Sequence, residues 1–303
     1  LPRLNGPLVV TSLCWGFNFV SIKLLYQQMT PAAVALVRFL LMWGALVLIC
    51  RLWRVDTRIE KADLWRTLFA GAVSMGFYMI LFLYGMSLTS PAEGAILLAT
   101  APILTYLFSV VIRVERFEWW ALVGTGIAFG GVTMVILGGH AAGSGSLTGN
   151  LFVFASAILW AVSVLMMRPL LVKYQPLPVL TRSMPGALIP LLIFGFRDSI
   201  AIRPLEWNWV TWANLTQVVL GSGLIGFLGI YRGVREVGPA IATRYQLMVP
   251  VIAAFFGWVV YHQELVTLQW LGLAVVLGGI ALAAWARSRD KRPEVSSGSE
   301  SKQ

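Results

Sequence analysis

The sequence predicts an all-α integral membrane protein of ten transmembrane helices, arranged as two inverted five-helix repeats. Three observations predict it. Of the 303 residues, 58% are hydrophobic and only 12% are charged. A soluble domain carries about 25% charged residues, so too little polar surface remains here to face water. Apolar runs of about 20 residues recur down the whole chain, and each is long enough, at about 1.5 Å per residue, to cross a hydrocarbon core of about 30 Å. The second half also matches the first when the two are aligned at a nearly constant offset.

The spans are predicted at 8–27, 32–51, 65–87, 92–112, 119–138, 150–171, 177–196, 212–231, 239–260 and 268–286. Backbone N–H and C=O groups must be paired inside lipid, so each span is predicted helical. The first reads as a retained span, because no small-residue cleavage site and soluble domain follow it. "QQMTP", "SLTSP" and "REVGP" are short linkers ending in proline, at the starts of the second, fourth and ninth spans. "GGHAAGSGSLTGN" is longer, glycine-rich and nearly uncharged, and falls at the midpoint. The tail "RSRDKRPEVSSGSESKQ" is charged and then serine-rich, a composition that does not bury a core. These features divide the chain into a first five-helix repeat (1–140), a second (141–288) and a disordered cytoplasmic tail (289–303).

The repeat is carried by particular residues. At an offset of 148, Gly85 meets Gly233, Pro91 meets Pro239, Ala92 meets Ala240 and Pro102 meets Pro250. Gly124, Gly130 and Gly131 meet Gly272, Gly278 and Gly279 without a gap. Nearer the start the offset is 145, where Asn5 meets Asn150, Trp15 meets Trp160 and Pro31 meets Pro176. Five is odd, so the second half must enter the membrane from the opposite side. The charges agree. With a cytoplasmic N-terminus, the inside segments hold Arg51, Arg54, Arg58, Lys61, Arg66, Arg113, Arg116, Arg168, Lys173, Arg232 and Arg235, then Arg287, Arg289, Lys291 and Arg292. Arg197 and Arg203 are the clear exceptions. Matched loops invert their charge: "SLTSP" has no basic residue, while "RGVREVGP" has two. Both termini are therefore expected in the cytoplasm.

Several chemistries are excluded. The net charge of +10 sits beside apolar spans, which reads as membrane orientation and not as nucleic-acid binding. Cys14 and Cys50 form no C-x-x-C pair, and His140 and His262 lack metal-ligand spacing, so no metal or catalytic set is expected. There is no Walker A motif, and no cofactor is expected. "GSGLIG" (Gly221–Gly226) fits the dinucleotide pattern G-x-G-x-x-G, but it lies inside an apolar span with no soluble β-α-β unit around it. An acid is expected about 20 positions further on, where Gln246 stands instead. Close helix packing is the better reading, and "GIAFG" (Gly126, Gly130) and "GLAVVLGG" (Gly272, Gly278, Gly279) read the same way.

Two similar halves of opposite orientation point to a secondary carrier with a site near the bilayer midplane, between the repeats. Ionisable groups inside spans cost about 2.5–3.5 kcal/mol on insertion scales and need a reason. Glu93, in the first turn of the fourth span, is either an acid stabilised by a helix N-terminus or a proton or substrate site. Arg244 either snorkels to the surface or meets a substrate carboxylate. Arg38, deeper in the second span, has an inter-helix partner or a substrate, and Lys23 reads as an interfacial anchor. Trp15, Asn18 and Ile22 share a face, and Asn18 points that face inward. Trp15 and Trp160 line a cavity from opposite halves or pack tightly. Tyr78 with Phe82, and Phe227 with Tyr231, form stripes that are either packing or an apolar path suited to hydrophobic side chains. Thr100 and Gln246 are available to hydrogen-bond there, and Ser163 takes the place of Asn18 in the second half. Trp119, Trp120, Trp207 and Trp209 fit an interfacial belt.

"CWGFNFVSIKLLYQQMTPAAVALVRFLL" resembles the opening of an EamA-type member of the drug/metabolite transporter superfamily, through Trp15, Gly16, Asn18, Phe19, Lys23, Pro31 and the Arg38–Phe39 pair. "SPAEGAILLATAPILTYL" resembles the fourth-helix pattern, and "GPAIATRYQLMVPVIAAFFGWVV" with Glu264 resembles its partner. The resemblance implies an inner-membrane exporter of amino acids and related small metabolites, working by alternating access, with possible proton coupling. A nucleotide-sugar or sugar-phosphate antiporter is the rival within the architecture, though its polyanionic substrates call for more buried cations. An intramembrane enzyme or scaffold is the rival outside it. The second half departs from the pattern, since Asn18 meets Ser163, Lys23 meets Arg168 and Arg38 has only a near match in Arg182.

Overall fold

A computed structural model describes residues 5–88, 97–139, 146–261 and 267–290. Every regular element among them is helical. In chain order they are α1 (Gly6–Leu25), α2 (Pro31–Leu52), α3 (Lys61–Leu88), α4 (Ala101–Val111), α5 (Trp119–Gly139), α6 (Leu147–Lys173), α7 (Pro176–Ile200), α8 (Trp209–Val237), α9 (Pro239–Arg244), α10 (Met248–Tyr261) and α11 (Thr267–Asp290). Five of them, α2, α3, α6, α7 and α8, are long and apolar enough to cross a membrane on their own. The others are shorter in their apolar part. The predicted ninth span is not continuous: a 3₁₀ turn at Tyr245–Leu247 separates α9 from α10.

Local chemistry sets the helix starts. Thr30 accepts the Ala33 N–H at the start of α2 and Pro31 follows it, which fits a ring with no N–H to lose. Asn5, Ser146 and Asn208 cap α1, α6 and α8 in the same way. Gly238, at φ +87°, makes the left-handed turn between α8 and α9. Two helices contain π-helical turns: Ala72–Phe77 in α3 and Gln217–Ile225 in α8. The offset of 148 carries the first of these into the second.

Packing is inverted relative to a water-soluble bundle. Ile193 is 84% exposed and Val111 is 77% exposed, while Ser163, Ser183, Ser222 and Thr243 are fully buried. An apolar exterior over a hydroxyl-bearing interior is what lipid demands. The main core joins α1, α2, α3, α6, α7 and α8. A second cluster ties α5 to α11 through Ala128, Val132, Val276 and Ile280.

Glycine sets how closely the helices cross, though not at every position expected. A Cβ on Gly124 would stand 2.8 Å from the Gly279 carbonyl, and one on Gly131 would stand 2.8 Å from the Gly272 carbonyl. The α5–α11 crossing is therefore backbone against backbone. Gly126, Gly130 and Gly278, expected to pack, instead face open space, because they lie on the opposite side of their helices. In the "GSGLIG" stretch Gly226 is pressed by the Trp15 indole and Gly223 lies tight against Met42 of α2, while Gly221 meets only the side chain of Gln217 on its own helix. A related pair holds elsewhere: Gly85 on α3 lies against Val153 on α6, and Gly233 on α8 lies against Leu8 on α1. Offsets of 148 and 145 map the first contact onto the second.

Gly131→Leu is expected to cost about 1–3 kcal/mol, since overpacking here must move backbone, whereas Gly126→Leu is expected to be near neutral. Thermal unfolding of the two variants in detergent, followed by size-exclusion chromatography, measures the difference.

Candidate functional site

Where α1, α3, α6 and α8 meet, the aromatic residues singled out in the sequence form one continuous cluster. Trp15 and Trp160 touch edge to face with ring centroids 5.7 Å apart. Phe227 lies 5.8 Å from Trp15 and 6.1 Å from Trp160. Tyr78 lies 5.2 Å from Trp160 and stacks on Phe82 at 6.0 Å. Tyr231 meets Phe227 at 6.3 Å, and Phe39 meets it from α2 at 6.1 Å. Such offset and edge contacts each add about 0.5–1.5 kcal/mol beyond area burial. The rings come from both halves of the chain, so neither half builds the cluster alone.

Polar groups bracket the rings. The Trp15 indole N–H donates to the Ser222 carbonyl at 2.9 Å. Ser222 lies in the π-helical part of α8, where the hydrogen-bond ladder is offset. Its hydroxyl donates to Asn18 Oδ1 at 2.6 Å and receives an Arg38 guanidinium N–H at 3.5 Å. Arg38 is only 5% exposed, and its guanidinium carbon lies 5.0 Å from the centre of the Phe39 ring. Among the described residues no carboxylate forms an ion pair with Arg38. On the other side, the Trp160 indole donates to Gln246 Oε1 at 2.9 Å. An indole N–H can only donate, so this bond fixes the Gln246 amide with its Nε2 turned away. That Nε2 is buried without a hydrogen-bond partner among the described residues, while the Tyr231 hydroxyl lies toward Ser74 and Ser183. Ser74, Trp160, Ser163 and Tyr231 line a crevice too narrow to hold a water molecule.

The two sides correspond. Offsets of 145 and 148 carry Asn18 and Arg38 onto Ser163 and Ser183, and Ser74 onto Ser222. One side thus has a cation and an amide where the other has hydroxyls. The crevice lies on the hydroxyl side, where the side chains are shorter.

Other expected residues stand elsewhere. Glu93 lies outside the described residues, as does the Lys23 side chain. Thr100, just before α4, donates its hydroxyl to the nearby Leu97 carbonyl. Arg244 is 5% exposed and does not snorkel to the surface. It lies 5.1 Å over the Tyr106 ring and donates to the Ala283 carbonyl at 3.5 Å, against a separate core cluster.

Comparison with known proteins bears directly on this arrangement. A family model described as the EamA-like transporter family matches residues 7–137 and again residues 147–285. The chain belongs to the EamA-like transporter family. This EamA protein is 25% identical over 280 residues to an uncharacterized transporter of Archaeoglobus fulgidus, a match covering 92% of this chain and 98% of that one. It is 26% identical over 297 residues to a probable terminal-alkyne amino-acid exporter of Streptantibioticus cattleyicolor, covering 93% of this chain and 92% of the relative. It is 26% identical over 301 residues to the uncharacterized inner membrane transporter YedA of Escherichia coli, covering 92% and 90%. A solved crystal structure shares its fold, with a TM-score of 0.78 at 19% identity over 95% of this chain and 98% of the other. The EamA chain is thus a multi-pass membrane protein from a family of transporters.

Sequence reasoning missed Ser222, the residue that joins Trp15, Asn18 and Arg38. It stands inside the glycine pattern that was read as packing alone. The available signal was a hydroxyl in an apolar span opposite a predicted inward-facing Asn18. Phe39 was quoted only as half of a motif, and Ser74 and Ser183 carried no spacing signal.

The Trp160–Gln246 bond predicts a coupling of about 1 kcal/mol between Trp160→Phe and Gln246→Leu, with each single change costing more than the pair requires. A double-mutant cycle in thermal unfolding measures it, and strict additivity would show that the bond is not formed.

Proposed function

We propose that this EamA protein is an inner-membrane secondary exporter of amino acids with hydrophobic or aromatic side chains, and of related small metabolites. It works by alternating access between two inverted five-helix repeats of ten spans in all. The observation that carries the reading is Arg38, a buried cation with no carboxylate partner among the described residues, beside a cluster of aromatic rings. A guanidinium so placed is costly unless an anion joins it. A substrate carboxylate supplies that anion and accepts its N–H groups in a bidentate pair. The rings then receive the apolar side chain, and the unmet Gln246 Nε2 offers a polar contact within the same site.

The name of the Streptantibioticus cattleyicolor relative supports the substrate class. The double match to one family model and the paired glycine contacts support the repeat. The charge bias supports cytoplasmic termini. In the conformation described, the crevice is too narrow for water, so a substrate enters only as the two halves move apart. The π-helical turns of α3 and α8, beside Tyr78 and Phe227, are the deformable points for that motion. Proton coupling belongs to this reading through Glu93.

Reconstituted into liposomes, the protein is expected to move labelled phenylalanine, tryptophan or leucine. Arg38→Gln is expected to lower flux at limiting substrate by tenfold or more, on the order of 1.5–3 kcal/mol for a charged hydrogen bond. Phenethylamine, which lacks the carboxylate, is expected to compete equally well against wild type and Arg38→Gln. No protein-dependent flux for any amino acid rejects the substrate class, and a pH gradient without effect on flux rejects the coupling.

A further inference from the structure

A second cavity lies away from the aromatic cluster, between the C-terminal end of α2 and the N-terminal part of α7. Its volume is about 480 Å³. Arg51, Arg54 and Arg182 line it, and among the described residues none of the three forms an ion pair with a carboxylate. Three guanidiniums around one cavity repel each other, and an anion between them removes that cost. The site is built as well as charged. Arg54 takes the left-handed position, φ +51°, of a helix-ending turn closed by the Val55 N–H on the Cys50 carbonyl at 2.9 Å. Glycine is the usual residue at that position. Arg182, which lines the cavity, is tethered by its Nε, which donates to the Thr57 carbonyl at 2.9 Å.

The other walls are apolar and run deeper into the span. Trp43, Val47 and Cys50 are spaced i, i+4, i+7 on α2, one face of the helix, and all line the cavity. Pro185 faces them from α7, and Cys50 Sγ meets Thr181 Oγ1 at 3.5 Å. The cavity thus has a cationic mouth at the basic end of the helices and an apolar wall toward the membrane interior. That graded polarity matches a lipid. A free anion would need no Trp43–Val47 wall, and an acyl chain alone would need no arginine.

We propose that this cavity binds an anionic phospholipid of the cytoplasmic leaflet, its phosphate held by Arg51, Arg54 and Arg182 and its glycerol and first acyl carbons lying along Trp43 and Val47. Basic recesses between helix ends on the cytoplasmic side have the right charge and depth for such headgroups. The site is independent of the transported substrate.

The test uses full-length protein, delipidated in neutral detergent, and thermal unfolding with added phosphatidylglycerol, phosphatidylcholine or glycerol 3-phosphate. Native mass spectrometry counts the lipids retained. Phosphatidylglycerol is expected to raise Tm and to remain bound, while phosphatidylcholine does neither. Apparent affinity is expected to fall roughly fivefold for each arginine replaced by glutamine, the attraction of one basic group for an anionic membrane surface. Arg58→Gln, Arg66→Gln and Arg203→Gln together remove equal charge elsewhere and are expected to leave binding unchanged. Arg182→Gln alone is read as well, in case R51Q/R54Q/R182Q does not fold. Equal losses in the two charge-matched sets, or retention in Arg182→Gln, overturn the proposal. Glycerol 3-phosphate matching phosphatidylglycerol at equal concentration assigns the cavity to a soluble phosphate and overturns the lipid reading.

Discussion

Inside a bilayer a polar group has no water to fall back on, and this constraint orders the rest of the structure. Hydroxyls evade it locally. Thr105, Ser109, Thr125, Ser156 and Ser163 each donate to a carbonyl three or four residues back on their own helix. Such residues say little about which helices meet. Asn214 does the same with its amide, donating to the Val210 carbonyl, but the indoles of Trp15 and Trp160 and the guanidinium of Arg38 reach other helices. Trp15 reaches α8, Arg38 reaches α8, Ser222 reaches Asn18 on α1, and Trp160 reaches Gln246. These cross-helix reaches converge on one place, and that place is the aromatic cluster.

The convergence depends on how the two halves interleave. α1 packs on α8, and α6 packs on α3, so each half's first helix lies against the other half's third. The close contacts repeat with it: Gly85 meets Val153 as Gly233 meets Leu8, and Gly124 and Gly131 cross Gly279 and Gly272 in reverse order. The same offsets put Gly226 where the first half has Tyr78. Trp160 therefore meets a phenol ring at 5.2 Å, while Trp15 presses directly on backbone. Trp15 and Trp160 are matched in sequence but not in what surrounds them.

Much of this was legible in the sequence, because the signals were periodic. Apolar runs at span length gave the helices, and the i, i+3 spacing of Trp15 and Asn18 gave their shared face. The stripes at Tyr78–Phe82 and Phe227–Tyr231 gave rings that do meet. Three things were not legible. Which glycines pack is a matter of helix rotation, and Gly130 and Gly131 are neighbours with opposite fates. Whether Arg244 faces the rings or Tyr106 depends on how α9 is set by the 3₁₀ turn after it, which no propensity announces. Ser222 is locally silent, and its importance comes only from the three groups that arrive at it. Arg38 meets Ser222 at 3.5 Å, which is a partner but not a counter-charge.

The asymmetry is the last step. Arg38 and Asn18 meet Ser222 beside Trp15, while the positions matched to them hold Ser183 and Ser163. On the proposed exporter reading, a site charged on one side only would hold an amino acid in a single orientation, its carboxylate toward Arg38. A fully symmetric cage of the same rings would accept either. The crevice beside Ser74 and Tyr231 is lined by Ser163, the smaller residue matched to Asn18. On that reading, the difference between the matched positions is what gives the cluster a direction.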